Sequence, residues 1–289
     1  MLAAVRTLRP KQWTKNFFVF VPLVFSVKLF DVNSLIISLK AFISFCLVSG
    51  ALYTLNDLCD LKEDQLHPIK KNRPLASGQL TKRSAYVIIA VTAGASLALA
   101  FSINLNFLLI VLSYVALQIL YSSWLKHVVI IDIFMVAAGF FLRVIGGALA
   151  IQVEISSWLI ICTILLALFL SMTKRRHEFL ILVDKAREHR PSLKEYNPYL
   201  LDQMISVVTA STLIAYCLYT ISDDTVRKFG SRNLIFTTPF VLYGIFRYLY
   251  LVHQKDQGGT PEEMILRDKP LLVNIILWII SILFILYLR

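Results

Sequence analysis

Long apolar stretches, separated by short polar segments, occupy most of the chain. A helix rises about 1.5 Å per residue, so roughly 20 apolar residues cross the hydrocarbon core of a bilayer. The pattern predicts nine such helices, at approximately 17–34, 35–55, 85–104, 106–124, 128–150, 157–173, 203–222, 234–252 and 270–288. The first is the least regular, because Pro22 and Lys28 interrupt it. We expect an all-α, polytopic membrane protein, a bundle of nine transmembrane helices.

Composition supports this prediction. The chain has 289 residues, of which 57% are hydrophobic and 16% charged, and its mean hydropathy is +0.70. A water-soluble domain of this size cannot bury so many apolar side chains. No Gly-, Ser- or Pro-rich linker and no low-complexity tract divides the sequence, so we expect one integral membrane domain over residues 1–289.

The distribution of Lys and Arg predicts the orientation. With nine spans, 21 of the 29 basic residues fall on one side, and the positive-inside rule places that side in the cytoplasm. The N-terminus and the long polar loops at 56–84 and 174–202 then face the cytoplasm, and the C-terminus lies outside. No cleavable signal peptide is expected, so the first span should be retained. The net charge of +11 follows topology and does not form a soluble patch with interleaved aromatic residues, so we expect no nucleic-acid partner.

An acidic motif closes the second predicted span. It reads Asn56-Asp57-x-x-Asp60-x-x-x-Asp64, and on a helix its three carboxylates fall within roughly 60° of one another. Hard oxygen ligands of this kind suit Mg²⁺, and the cations Lys70 and Arg73 follow within one loop. Carboxylates that hold a metal, combined with Lys and Arg, are typical of a diphosphate-binding site.

A second polar cluster follows the sixth predicted span, at Lys174-Arg175-Arg176-His177-Glu178. Positive-inside anchoring explains any one of these cations, but three in succession favour phosphate binding, for which Arg is well suited. Near the N-terminus, Arg9-Pro10-Lys11-Gln12-Trp13-Thr14-Lys15-Asn16 fits either an interfacial helix anchored by Trp13 or a direct role for its lysines.

Isolated polar residues within or beside the spans complete the candidate set. Arg143 lies inside a span, where a charge is expensive unless it is paired or faces a polar cavity, and Gly146-Gly147 behind it permit close helix packing. Lys126 ends the pattern Tyr121-x-x-x-Leu125-Lys126, for which snorkelling to the interface is the simple explanation. Asp268 precedes the last span, where capping and catalysis are equally good interpretations.

The motif at 56–64, the Tyr121 to Lys126 pattern and the nine-span layout resemble the UbiA superfamily of intramembrane prenyltransferases over nearly the whole chain. Most members carry a second aspartate-rich motif after the sixth span, where this sequence is basic. It is instead similar to the branch that takes phosphoribosyl diphosphate (PRPP) as donor and decaprenyl phosphate as acceptor. The matching stretches are Arg9 to Asn16, His67-Pro68-x-Lys70-x-x-Arg73-Pro74, Lys174-Arg175-Arg176-x-Glu178 and Tyr196 to Gln203.

The resemblance implies a Mg²⁺-dependent phosphoribosyltransferase of the plasma membrane, with a cytoplasmic active site, that supplies a precursor of cell-envelope polysaccharides. The expected catalytic residues are Asn56, Asp57 and Asp60; the metal ligands are Asp57, Asp60 and Asp64; the substrate-binding residues are Lys15, Asn16, Lys70, Arg73, Tyr121, Lys126, Arg143, Lys174, Arg175, Arg176 and Glu178. Two alternatives stay open: prenyl transfer to an aromatic or other small acceptor, and a transporter or lipid channel. A homo-oligomer is also left open.

Overall fold

The computed structural model describes residues 2–66, 70–181, 195–255 and 261–287, and within these ranges it contains helices and no strand. His67 and Pro68 of the PRPP-branch motif lie outside the described residues, as does the part of the second long loop at 182–194. The α-helices are α1 (Leu2–Thr7), α2 (Val21–Phe25), α3 (Val32–Cys59), α4 (Leu61–Leu66), α5 (Lys82–Ile103), α6 (Leu105–Ser123), α7 (Ile131–Ala150), α8 (Ser157–Ile181), α9 (Pro198–Ile221), α10 (Asp223–Phe229), α11 (Thr238–Gln254), α12 (Pro261–Arg267) and α13 (Lys269–Tyr287). Short 3₁₀ helices cover Pro10–Phe20, Lys70–Asn72, Leu125–His127 and Asn233–Thr237.

Side-chain caps explain where several long helices begin. The Asp31 carboxylate accepts a hydrogen bond from the Ser34 backbone N–H at 3.1 Å at the start of α3. Thr81 caps α5 in the same way, and Asn197 caps α9 with Pro198 in its first turn. Each cap satisfies a backbone donor that the first helical turn leaves without an intrahelical partner. Asp268 likewise accepts from the Leu271 N–H at 2.9 Å, which confirms the capping interpretation for that residue.

Within the described residues, eight helices are long and apolar enough to cross a membrane, and they match eight of the nine predicted spans. The predicted first span, 17–34, is not one long helix. It contains the end of the 3₁₀ helix Pro10–Phe20, the short helix α2 and a turn that leads to the Asp31 cap. Pro22 lies in the first turn of α2, where it ends the preceding 3₁₀ hydrogen-bond pattern. The total of nine spans stays a prediction.

The segment 10–20 runs antiparallel to α3. At its start, the ring of Tyr53 lies under Arg9; further along, the Asn16 amide donates to Cys46 Sγ at 3.2 Å. At its end, the rings of Phe20 and Phe42 have centroids 5.4 Å apart. As the segment advances, the residue numbers of its partners on α3 fall from 53 to 42. The segment and the helix therefore run in opposite directions.

Contacts divide the chain into two compact units, which are described separately. Unit 1 comprises Met1–Ser123 and Leu142–Glu154, and unit 2 comprises Trp124–Phe141 and Ile155–Arg289. The expectation of a single domain over residues 1–289 stays a prediction.

Unit 1 is built around aromatic and small side chains of α3, α5, α6 and the second half of α7. Phe45 makes edge-to-face contacts with Phe107 and Tyr114, at centroid distances of 5.8 and 5.5 Å. Ser44 and Ser96 exchange hydrogen bonds between α3 and α5, including Ser96 Oγ to the Ser44 carbonyl at 2.8 Å. The hydroxyls of Ser44 and Ser96 thereby find partners between the two helices.

The glycine pair on α7 allows the close packing that the sequence predicts. A Cβ on Gly147 would overlap the backbone carbonyl of Val19, which lies in the segment 10–20. A Cβ on Gly146 would lie 2.9 Å from the Phe45 ring. Glycine is needed at Gly147 because the obstacle is backbone, which cannot move aside as a side chain can.

Unit 2 is held together by polar contacts among its helices. The Trp278 indole donates to the Tyr216 hydroxyl at 3.1 Å, and that hydroxyl is 2.6 Å from Thr237 Oγ1. Arg247 on α11 binds both oxygens of Asp268, at 3.1 and 2.8 Å. These bonds connect α9 with α13 and with the 3₁₀ helix Asn233–Thr237, and they connect α11 with the residue that precedes α13.

Candidate active site

The strongest candidate site lies in unit 1, where two buried carboxylates share one guanidinium group. Arg73 Nη1 donates to Asp57 Oδ1 at 3.1 Å and to Asp64 Oδ2 at 2.6 Å. Both carboxylates are only 2% exposed. Two like charges this close are costly unless cations neutralise them, and Arg73 lies between them. The structure therefore brings together three of the predicted residues.

Arg9 completes this cluster, although the sequence did not place it in the site. Its guanidinium donates to Asp57 Oδ1, the same oxygen that accepts from Arg73. The guanidinium also lies over the Tyr53 ring, 5.0 Å from the centroid. The backbone of Arg9 has φ 51°, in the left-handed region that a residue with a Cβ seldom adopts. Such a strained conformation is typical of residues held in place for function.

Lys70 adds a third cation. Its Nζ lies 3.9 Å from Asp64 Oδ1, and its side chain is 44% exposed. Arg9, Lys70 and Arg73 thus bring three cationic groups to the carboxylates of Asp57 and Asp64. Cations gathered in this way can bind an anion with several charges, such as a diphosphate.

The acidic motif does not lie on one uninterrupted helix. The helix α3 ends at Cys59, Asp60 is its C-cap with φ −89° and ψ 12°, and α4 begins at Leu61. The backbone N–H groups of Asp60 and Asp64 still donate four residues back, each at 2.9 Å, so the chain keeps a helical course through the junction. This course explains why Asp57 and Asp64 converge as the periodicity predicts.

Asp57 and Asp64 have the chemistry that a magnesium ion requires. Their oxygens are hard ligands, and they converge within reach of a single nitrogen of Arg73. In the part of the chain that the structure describes, no three His, Cys, Asp or Glu side chains form a ready group of metal ligands. Two carboxylates are enough for Mg²⁺, because this ion usually fills its other coordination positions with waters and substrate phosphates. The roles of Asp60 as a third ligand and of Asn56 as a catalytic residue stay predictions.

The predicted substrate residues Asn16 and Arg143 belong to a buried network elsewhere in unit 1. Arg143 Nε donates to Asn16 Oδ1 at 2.7 Å, and Nη2 donates to the Tyr114 hydroxyl at 2.8 Å. The guanidinium also lies 4.7 Å from the Tyr114 ring centroid. This network fastens α7 to the segment 10–20, which also carries Lys15, whose Nζ donates to Gln12 Oε1 at 2.7 Å. Direct contact of these residues with substrate stays a prediction.

The second cluster, in unit 2, is less basic than its sequence suggests. Arg175 Nε donates to Asp132 Oδ2 at 2.7 Å, and its Nη1 donates to Glu178 at 2.5 Å. Arg176 binds Asp202 at 2.6 Å, and Lys174 lies 3.8 Å from Glu178. The three cations are thus matched by three carboxylates. The expected role of Lys174, Arg175, Arg176 and Glu178 in binding substrate stays a prediction.

Asp132 lies at the centre of this second cluster, although the sequence analysis assigns it no role. It is fully buried at the start of α7, and it accepts from both Arg175 and the Tyr196 hydroxyl, the latter at 2.9 Å. The Tyr196 hydroxyl also accepts from the Ile130 N–H at 2.6 Å. Burial, reinforced by the Asp132 carboxylate, raises the pKa of the Tyr196 phenol well above its usual value. An ionisable residue in the first turn of an apolar span was the available signal for Asp132.

Tyr121 and Lys126 lie on consecutive elements, near the end of α6 and in the 3₁₀ helix Leu125–His127. Both side chains are half-buried. Their assignment to substrate binding stays a prediction.

The chain is similar to known proteins along nearly its whole length. The chain is 32% identical to a decaprenyl-phosphate phosphoribosyltransferase of Corynebacterium glutamicum, over 98% of this chain and 86% of that protein. It is 30% identical to a protein of the same name from Mycobacterium tuberculosis, over 96% of this chain and 92% of that one. A solved UbiA homologue from Archaeoglobus fulgidus, bound to GPP and Mg²⁺, has a TM-score of 0.74 at 18% identity and covers 98% of this chain and 99% of its own. That likeness supports the all-α, multi-pass membrane fold.

A family match settles the wider relationship. Residues 17–267 match the UbiA prenyltransferase family, from within the segment beside α3 to the end of α12. This range includes Asp57, Asp64 and Arg73, whereas Arg9 precedes it. The chain belongs to the UbiA prenyltransferase family.

Proposed function

We propose that the protein is a Mg²⁺-dependent phosphoribosyltransferase. It transfers the 5-phosphoribosyl group of PRPP to a polyprenyl phosphate such as decaprenyl phosphate and releases diphosphate. The observation that carries this proposal is the similarity of about 30% along nearly the whole chain to several proteins named decaprenyl-phosphate phosphoribosyltransferase. The product would supply a precursor for cell-envelope polysaccharides.

The three cations around Asp57 and Asp64 support this donor. PRPP carries a diphosphate and a separate 5-phosphate, so it brings more negative charge than a prenyl diphosphate. In the proposal, Arg9, Lys70 and Arg73 hold diphosphate oxygens, because Arg offers paired donors that match phosphate geometry. Asp57 and Asp64 hold the metal, and Mg²⁺ when bound stabilises the charge of the departing diphosphate.

The transfer needs little proton chemistry from the protein. An oxygen of the lipid phosphate forms the new bond to the anomeric carbon of the ribose. The bond from that carbon to the diphosphate breaks, and the diphosphate leaves with the electron pair. Because the acceptor phosphate is already anionic near neutral pH, no strong general base is required. The cations stabilise the leaving group, which is where negative charge develops.

The proposed site opens to the cytoplasm for its donor and to the bilayer for its lipid acceptor. We place the N-terminus and the site on the cytoplasmic side of the plasma membrane, since most Lys and Arg residues lie on that side. Polyprenyl phosphate would enter from the bilayer. Arg175 is proposed as a residue that positions the end of α8, because Asp132 and Glu178 already bind it. Lys174 and Arg176 remain predicted substrate-binding residues, and self-association is left to measurement.

Incorporation of label into lipid tests the proposed reaction. Purified protein is incubated with Mg²⁺, PRPP labelled in the ribose and polyprenyl phosphate, and the label in the organic phase is measured together with released diphosphate. We expect labelled lipid and diphosphate to form in equal amounts. In Asp57→Asn the rate of transfer should fall by at least about 100-fold, since charge stabilisation of this kind is worth that much. The control is Asp224→Asn, because Asp224 is 81% exposed.

Two outcomes would support the alternatives instead. If label never enters the lipid but a labelled prenyl group passes from prenyl diphosphate to an aromatic acceptor, the protein is a prenyltransferase. If substrate crosses the membrane of proteoliposomes without release of diphosphate, the protein is a transporter. Either result would overturn the phosphoribosyl transfer proposed here.

A further inference from the structure

Arg9 and Arg73 contact the carboxylate oxygens that a magnesium ion would need. Asp57 Oδ1 accepts from both Arg9 and Arg73, and Asp64 Oδ2 accepts from the same nitrogen of Arg73. A carboxylate oxygen that already accepts from two guanidinium groups has little capacity left for a metal. Guanidinium and Mg²⁺ are therefore competitors for these oxygens. The same guanidinium groups are also the natural ligands of a diphosphate.

We propose that Arg9 and Arg73 exchange partners when Mg²⁺ and diphosphate bind together. The two arginines leave the carboxylates of Asp57 and Asp64 and donate to diphosphate oxygens, while the carboxylates bind the metal. This inference rests on the proposed function, because it takes a Mg²⁺–diphosphate complex as the ligand.

The geometry of Arg9 suits such an exchange. Its side chain is 26% exposed, so it can reach a ligand outside the buried pair. Its stacking on the Tyr53 ring does not depend on Asp57, and it can keep the guanidinium near the site after the carboxylate is released. Arg73, which is 25% exposed, has comparable access.

The exchange couples the two ligands. Mg²⁺ alone must displace arginines that then lack an anionic partner, and diphosphate alone must draw arginines away from buried carboxylates. When both bind, every charge regains an opposite partner. Each ligand then tightens the binding of the other by the same factor, which for coupled sites is typically about 5- to 150-fold.

Binding measurements on the purified full chain test the exchange without any turnover. Isothermal titration calorimetry is performed with Mg²⁺ alone, with inorganic diphosphate alone, and with Mg²⁺ in the presence of diphosphate. In Arg9→Gln, Mg²⁺ alone should bind at least about 5-fold more tightly, because a competitor is removed, while diphosphate alone should bind more weakly. In the same variant, the factor by which diphosphate tightens the binding of Mg²⁺ should be smaller than in the unaltered protein. A role for Arg9 only in holding the fold predicts weaker binding of Mg²⁺ as well.

The control separates competition from a general effect of charge. Lys71→Gln removes an exposed cation one residue from Lys70, and its effect on Mg²⁺ affinity should be small because exposed charges are screened. If Arg9→Gln changes Mg²⁺ affinity no more than Lys71→Gln does, or lowers it, the exchange is refuted. Arg73→Gln makes the same comparison if Arg9→Gln does not fold. If the unaltered protein binds no diphosphate even with Mg²⁺, the proposed function itself fails.

Discussion

At the scale of single residues, buried carboxylates are held by cations from distant parts of the sequence. Asp132 shows this most clearly in unit 2, since it binds Arg175 and Tyr196, both of which are almost fully buried. Removing one member of a buried ion pair leaves the other without compensation, which costs far more than loss of an exposed pair.

Asp132→Asn should therefore lower the free energy of unfolding by about 3 kcal/mol, near the lower limit for a broken buried pair because Glu178 still binds Arg175. Unfolding of the detergent-solubilised protein measures the change. Asp224→Asn is the matched control: that carboxylate also pairs with an arginine, Arg227, but both side chains are exposed. Its removal should change stability by less than about 1 kcal/mol. Equal effects of the two substitutions would contradict the structural role of Asp132.

The buried phenol of Tyr196 gives a prediction for pH. Its pKa is raised in the folded protein because burial and the Asp132 carboxylate disfavour the phenolate. A raised pKa contributes stability that is fully present below the unfolded value, about 10 for Tyr, and is lost as pH rises beyond it. Stability should therefore fall above pH of about 10, and Tyr196→Phe should show a shallower fall over the same range. Parallel curves for the two proteins would argue against this assignment.

At the scale of elements, the irregular segment 10–20 helps to position the site beside α3. It follows Arg9 directly, contains Asn16 of the buried Arg143 network, and packs its backbone at Val19 against Gly147. A change in its packing should consequently reach the Asp57 carboxylate through Arg9. Fixed placement of this kind matters because small displacements of binding groups are costly in catalysis.

Gly147→Ala should displace this segment, because the added Cβ would overlap the Val19 carbonyl. We expect a stability loss of about 1–3 kcal/mol, typical of overpacking, together with lower affinity for diphosphate. The control is Gly94→Ala on α5, where a Cβ meets nothing within 4 Å. That substitution should be neutral or stabilising by up to about 1 kcal/mol, since Ala favours a helix. A Gly147→Ala protein as stable and active as Gly94→Ala would show that the contact is dispensable.

Hydropathy indicates the long helices better than it indicates the segment before α3. Hydropathy predicts eight of the long helices well, because a spanning helix must be apolar along its length. The segment at 17–34 was expected to be an ordinary helix, and its 3₁₀ geometry depends on packing that hydropathy does not contain. Asp57, Asp64 and Arg73 were predicted since they lie close in sequence. Arg9 and Asp132 were missed because their partners lie 48 and 43 residues away.

At the scale of the whole molecule, the course of the chain before α3 decides whether the N-terminus and the C-terminus lie on the same side of the membrane. Eight crossing helices alone would leave the residues before α3 and the C-terminus on one side. However, Arg9 meets Asp57 at the end of α3, whereas α3 begins at Val32. The segment between them therefore runs back along a helix of 28 residues, which is about 42 Å long and sufficient to cross the bilayer.

We therefore expect the two termini to face opposite sides of the membrane. The 3₁₀ helix Pro10–Phe20 satisfies its backbone groups internally, which allows a crossing without a long α-helix. In a protein with Cys59→Ser, because Cys59 is exposed, single cysteines are introduced at Lys11 and at Lys255, and one is added after Arg289. They are labelled in intact cells and in inverted vesicles with a reagent that cannot cross membranes. Lys11 and Lys255 should be labelled only in inverted vesicles, and the added C-terminal cysteine only in cells. If the cysteine at position 11 is labelled from the same side as the added C-terminal cysteine, and from the side opposite to position 255, then the segment before α3 does not cross and the protein has eight spans.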